Sequence, residues 1–396
     1  MTLRALVYFT QFSSALGGSE YIPLTFVAEL QKTCDVTLAL NWQSDVAAAA
    51  RTMNIPVDMS TLKVVLVKPQ SNCLRKLDAI LPFYRTWQLQ RLAKDADICI
   101  STVNMFDFGK PAHHFVFLLR HFGDNAFFDF VTQTKRGLVS RICQRLRTFL
   151  AEGILRPLLG IRSTRKIVAD RREHIYPNSF YVERLMREFY GEFNSTVFYP
   201  PTTFEPTGTV ERDPWLVTCL GQLFPEKRIV VIIRIVEQAR SLAKLDLKLR
   251  IGGPLKETPY VAEIRRLAAE RPWVVLAGGV YGADKSEFLQ RASFAIHAER
   301  DEAFGISVTE YLKAGIIPIV PDEGGTPEVV DNPALTYHDD DEAARILVRL
   351  LTDEAFRRDQ QQRCAERARK FTLSSYLDSQ TRLLQRIVEE ADKEAR

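Results

Sequence analysis

Short apolar runs alternate with longer stretches of helical period along this chain. Residues 3–9 (LRALVYF), 36–40, 63–66, 98–101 and 114–119 read as strands, as do 165–169 and 196–199. Helical patterns fill 21–31, 74–93 and 179–190. After residue 214 the alternation resumes. Strands are expected at 215–220, 247–251, 273–277, 294–297 and 316–320, with helices at 229–242, 257–269, 285–291, 341–351, 354–370 and 374–396. Continuous apolar strands separated by helices predict parallel sheets covered on both faces. Between the halves lies PPTTFEPTGTVERDP (200–214), rich in proline, threonine and charge, which reads as a linker.

The densest chemistry lies between His297 and Val330 (HAERDEAFGISVTEYLKAGIIPIVPDEGGTPEVV). Glu302 and Glu310 are eight positions apart there. A helix is expected to start within 305–307, run to Lys313 or Ala314 and stop at Gly315. Ser307 and Glu310 have capping-box spacing, so capping is one use for Glu310 and ligand binding is another. Thr326-Pro327 has the form of an N-cap followed by a first-turn proline. A helix N-terminus following the Glu302 loop is a natural place for a phosphate.

Composition narrows the class. A chain of 396 residues, 46% hydrophobic and 26% charged, suits two soluble globular domains. The six cysteines show no metal spacing and read as reduced core residues of a cytoplasmic protein. The N-terminus is too short in its apolar part for a signal peptide. No run approaches the roughly 18 apolar residues of a membrane span. The net charge of +4 is unevenly distributed: 135–172 holds eleven Lys/Arg against Glu152 and Asp170. Leucine, isoleucine and phenylalanine at helical spacing accompany those arginines. The stretch is either an ordinary solvated helix or a face for an anionic membrane surface, the reading its charge excess favours. No nucleic-acid motif accompanies it, so no nucleic-acid partner is expected.

Gly17-Gly18 follows the first strand and either lets backbone approach a ligand or only shapes a turn. There is no GxGxxG, which argues against a nicotinamide oxidoreductase. Arg120 and His121 fall at the carboxyl end of the 114–119 strand, where such sheets bind ligands. His113 and His114 enter it from the end where structural roles prevail.

These segments in this order resemble the retaining glycosyltransferases of family 4, which have the GT-B fold. The carriers are E-x7-E (Glu302 to Glu310) with FGI at 304–306, GGSE at 17–20, GQLFPEK at 221–227, AGGV at 277–280 and GGTPEVV at 324–330. In motif detail the chain is nearest to lipid-linked oligosaccharide mannosyltransferases, through Gly221-Gln222-Leu223, Asn178-Ser179, Tyr199-Pro200-Pro201 and His297 with EAFGI. The resemblance implies an α/β fold of two facing Rossmann-like domains with parallel sheets and an interdomain cleft. Residues 1–205 would be the acceptor side and 206–373 the nucleotide-sugar domain. The helix 374–396 would return to the first domain.

It further implies transfer of a sugar from a GDP- or UDP-sugar to a glycan or lipid-linked glycan in cell-surface polysaccharide or glycolipid synthesis. The protein would then be cytoplasmic and peripheral on the inner face of a membrane. His121, Lys227 and Glu302 would be the catalytic residues. Gly18, Gln222, Arg228, Val280, Ala303, Phe304, Gly305, Ile306 and Glu310 would bind the donor, with no cofactor and no metal. Lys227 would stabilise charge developing on the leaving phosphate, Glu302 would bind sugar hydroxyls and Glu310 the ribose. Many family members carry arginine where Gln222 stands, which removes one cation here; Arg228 is a substitute. That departure keeps a second reading open, a nucleotide-sugar-binding protein without transfer activity. A third is a transferase of the same fold with a soluble acceptor.

Overall fold

The computed structural model describes residues 2–12, 18–68, 81–117 and 154–396. Two compact units divide the chain. One comprises Met1–Pro201 with Tyr376–Arg396, the other Thr202–Ser375.

The first unit is built on a six-stranded sheet: β1 (Leu3–Phe9), β2 (Cys34–Leu40), β3 (Lys63–Leu66), β4 (Ile98–Ser101), β5 (His113–Val116) and β6 (His174–Pro177), in the order β3-β2-β1-β4-β5-β6. Every pair is parallel. β1 and β4 are buried along nearly their whole length, as their unbroken apolar sequence requires. Helix Gly18–Leu30 covers the sheet with Leu24, Phe26 and Val27 fully buried. From Tyr376, the chain's last helix (Leu373–Ala395) adds Leu383, Leu384 and Ile387 to this core. The Thr25 hydroxyl donates to Gln380 Oε1 at 2.6 Å.

Below the sheet's other end lies a buried polar cluster. Glu173 accepts hydrogen bonds from the Ala112 amide (2.8 Å) and pairs with His114 Nε2 (2.9 Å) and Arg162 Nη2 (2.8 Å). Arg162 Nε also reaches Asp107 (2.8 Å) and Nη1 reaches Asp170 (3.3 Å). The structural reading of His114 therefore holds. His113 has a similar role: it stacks on His174 and meets the Tyr176 hydroxyl at 3.0 Å.

Two expected strands are not strands. Residues 165–169 lie in the helix Thr164–Ala169, because the Ser163 hydroxyl caps it by accepting from the Lys166 amide. Over six residues that bury only Ile167 and Val168, strand and helical periods are not distinguishable. The strand of this region is β6. Residues 196–199 run beside β6 through two amides, Thr196 N to Ile175 O and Phe198 N to Pro177 O, but form only an isolated bridge at Ser195. Of the basic 135–172 segment, only residues from 154 onward lie among those described, with a short helix at Arg156–Leu158.

The second unit repeats the plan. β7 (Asp213–Leu220), β8 (Lys248–Gly252), β9 (Val274–Gly278), β10 (Ala292–Ile296), β11 (Ile317–Pro321) and β12 (Thr336–Tyr337) form a parallel sheet ordered β12-β11-β10-β7-β8-β9. The first strand, β7, sits at the centre and successive strands build outward to either side. The loops after β7 and β10 therefore diverge at the carboxyl edge, opening the crevice where open α/β sheets bind ligands.

Candidate active site

Two loops meet at that crevice. The first follows β7: Gly221 to Phe224, then a single 3-10 turn at Pro225–Lys227. Arg228 is left-handed (φ 51°) and ends the turn before helix Ile229–Ala243 begins. The second follows β10. Its first residue, His297, donates its amide to Ile319 O of β11 (2.9 Å), and its carbonyl accepts from the Tyr337 hydroxyl (2.9 Å). The loop then carries Glu299 and Glu302 to helix Ile306–Lys313.

That helix begins on Gly305, whose φ of 100° only glycine adopts without strain. A side chain there would also strike Thr326 Cγ2 at 2.6 Å. Gly325 is fixed by proximity instead. Its amide donates to Glu302 O (2.7 Å), and a Cβ would lie 2.3 Å from Ala303 O. The Glu302 loop is thus clamped against the start of helix Thr326–Val330. Tyr311 ties the far side of the Ile306–Lys313 helix to β7, its hydroxyl accepting from the Leu220 amide at 2.7 Å.

Lys227 from the first loop reaches the second. Its Nζ lies 2.5 Å from Glu302 Oε2 and 2.5 Å from Glu299 Oε2. His297 Nε2 is 3.7 Å from the same Glu302 oxygen. Burial opposes the charge on Lys227, but the two carboxylates outweigh it and raise its pKa. Burial likewise opposes ionisation of Glu302. Lys227 outweighs it and holds the carboxyl at about 2. His297 is pushed down to about 4 by burial, with Lys227 adding to the effect. Near neutral pH Lys227 is therefore charged, Glu302 ionised and His297 neutral.

The other expected site residues fall around this point or elsewhere. Gln222 is exposed at the entry of the first loop. Arg228 is turned toward the N-terminus of helix Asp340–Thr352, with Nη2 3.3 Å from Asp340 Oδ1 and Nη1 3.4 Å from Ala298 O. Ala303 to Ile306 form the clamped loop and helix start; Phe304 is buried edge-on against Phe371. Val280 follows β9, next to Tyr281, which is 65% exposed. Glu310 does not cap its helix, because Gly305 is the N-cap and makes no side-chain cap bond. The helix starts two residues too early for Ser307 to serve. Glu310 instead meets Lys285 Nζ at 2.5 Å, and burial raises its pKa against that partner. Gly18 opens the first helix of the other unit, and His121 lies outside the described residues. Sequence reasoning missed Glu299 and Lys285. Glu299 had one available signal: it is an acid in the loop leaving β10.

The architecture is that of the GT-B glycosyltransferases. Anabaena HepE, solved with UDP-glucose, superposes with a TM-score of 0.64 at 14% identity, covering 97% of this chain and 99% of that one. The fold is common to both chains. Residues 202–371 match the family Glycosyl transferases group 1. Among curated relatives, the phosphatidylinositol N-acetylglucosaminyltransferase GPI3 subunit of Saccharomyces cerevisiae is 26% identical over 140 residues, which is 34% of this chain and 30% of the relative. The GDP-Man:Man(3)GlcNAc(2)-PP-Dol alpha-1,2-mannosyltransferase of Neurospora crassa is 30% identical over 147 residues, 33% and 26% respectively. The chain thus spans less than a third of the length of these relatives.

Proposed function

We propose that this chain is a retaining hexosyltransferase that moves a sugar from a GDP- or UDP-sugar to a glycan or lipid-linked glycan. The observation carrying the reading is the junction of Lys227 and Glu302 at the crevice of the β7–β10 sheet. Breaking the bond between sugar and diphosphate builds negative charge on the β-phosphate. A fixed ammonium and the free amides at the start of helix Ile306–Lys313 are the groups that stabilise it. Glu302, kept ionised, is an oriented acceptor for sugar hydroxyls. Nucleotide-sugar complexes of HepE and the mannosyl- and N-acetylglucosaminyltransferase names of the relatives support the same reading.

A thermal-shift panel tests it. A nucleotide sugar at 100 times its Kd stabilises the native state by about 2.7 kcal/mol. A shift of several degrees with one donor, and none with the unrelated sugars, is expected. No shift with any nucleotide sugar overturns the reading.

The lipid-linked acceptor and the inner membrane face belong to this proposal as well. Among the described residues of the basic segment, Leu158 is 78% exposed and Ile154 and Leu159 nearly half exposed, beside Arg156. No helix among the described residues is long and apolar enough to cross a membrane. Apolar side chains bordered by arginine suit adsorption to anionic lipid. The protein is expected to sediment with vesicles containing anionic phospholipid at low salt and to be released at high salt. Protein left in the supernatant at low salt would remove the membrane assignment.

A further inference from the structure

We propose that Arg85 and Trp42 form an oxyanion-binding subsite at the carboxyl edge of the first unit's sheet. The guanidinium takes a phosphate or carboxylate, and the indole takes the sugar ring that bears it. Trp42 follows β2, and Tyr8 lies near the end of β1, the strand from which the sheet order builds outward in both directions. Open α/β sheets bind ligands at that place. Arg85 approaches from helix Leu81–Ala93, with its Cζ 5.5 Å from the centre of the Trp42 ring.

The state of its donors sets Arg85 apart. Its Nε is shut off from water and has no hydrogen-bond partner, whereas a buried donor is ordinarily satisfied. Among the described residues no carboxylate pairs with Arg85, while Arg162 of the same unit meets three. Contact with an aromatic ring engages the charge and not the N–H bonds. Those bonds lie in the guanidinium plane and match the paired oxygens of a phosphate or carboxylate. The neighbouring polar groups do not supply the missing negative charge. Burial raises the Tyr8 pKa to about 12, against the Asn41 hydrogen bond and the charge of Arg85. The neutral hydroxyl donates to Asn41 Oδ1 at 3.0 Å.

The indole is anchored by its own loop. The Asn41 and Trp42 amides donate to Thr10 O at 2.9 and 3.3 Å. Ser44 Oγ donates to Trp42 O (3.3 Å) and accepts from the Phe12 amide (3.1 Å). The Trp42 side chain nevertheless stays 45% exposed. A fixed, half-exposed indole beside an unpaired guanidinium suits a ring with an attached anion, its apolar face on the indole and its oxygens on the fork. Such a ligand belongs to the acceptor, through the phosphate that joins a glycan to lipid or through the carboxylate of an acidic sugar. That assignment rests on the transferase reading; the anion site itself does not.

The test uses the full chain labelled with 5-fluorotryptophan and followed by fluorine NMR. The chain has four tryptophans, and Trp42→Phe identifies the Trp42 signal. Glucose 1-phosphate and glucuronate are the probes, with glucose as the neutral control. At least one anion is expected to move the Trp42 signal saturably where glucose does not, and the tighter of the two names the acceptor's anion. Arg85→Gln should weaken that binding at least tenfold, while an unmoved Trp87 signal shows that the shared helix is intact. Arg85→Lys keeps the charge but loses the fork, and should bind with intermediate strength. The proposal is overturned if neither anion at millimolar concentration moves the Trp42 signal, or if Arg85→Gln binds as tightly as wild type. The transferase reading fails separately, when no nucleotide sugar gives a thermal shift, whatever the Trp42 signal does.

Discussion

Lys227→Ala is expected to lower turnover of the nucleotide-sugar donor by about 10²–10³-fold, the range seen when one fixed charge-stabilising donor is removed from a reacting centre. Stability should respond as well, and its pH dependence should change sign. In the wild type the Glu302 carboxyl is held at about 2, below its ordinary 4.5. Its contribution to stability is complete above the unfolded value and fades as pH falls toward 2. Without Lys227 the largest opposition to burial at Glu302 is gone, and its folded pKa is expected to rise above the unfolded one. Stability attributable to Glu302 is then greatest below about pH 4 and is lost as pH rises through its folded value. Thermal unfolding from pH 4 to pH 8, alongside initial rates, checks both halves. A variant that keeps its rate within a few-fold removes Lys227 from the reaction.

The second large effect is on folding. Glu173→Ala should destabilise the first unit by about 3 kcal/mol, the low end for breaking a buried ion pair. Arg162 keeps Asp107 and Asp170, so the loss falls mainly on His114 and the Ala112 amide, which are left buried with no acceptor. Glu173→Gln keeps an acceptor and should cost less. Urea denaturation of the three proteins would show it as a lower midpoint with unchanged slope. Equal midpoints for Glu173→Ala and wild type would refute the assignment.

Much of the fold was readable because parallel strands buried on both faces leave an unmistakable mark. β1 and β4 coincide with the apolar runs 3–9 and 98–101. The mark fails where an element is short. Helix Val46–Thr52, hidden in an alanine-rich run, carries little periodic signal. β6 (HIYP) places histidine and proline in a strand whose identity is set by pairing with β5.

Within the candidate site, the start and end of helix Ile306–Lys313 follow from Gly305 and Gly315, both in the left-handed region. The capping role offered for Glu310 does not arise, because a glycine cap needs no side chain. Glu299 could not be singled out by spacing. Side chains in an irregular loop follow no period, and only the turn of the β10 loop reveals which acids converge on Lys227. Lys285 stands 25 positions from Glu310 on another helix, so their pairing is a property of the sheet order alone.

The last helix has a consequence for biosynthesis. Its residues from Tyr376 onward belong to a core whose other members precede Pro201, so the first unit is interrupted by the second. On the ribosome, Thr25 and the apolar face around Phe26 emerge early, yet Gln380 and Leu384 follow only after the whole second unit has been made. At roughly 5–20 residues per second, that interval lasts about ten seconds or more. The continuous second unit is therefore the first to have its full sequence. The first must leave part of its core uncovered through that interval, the period when a nascent chain is most open to chaperones and to mispairing with its neighbours.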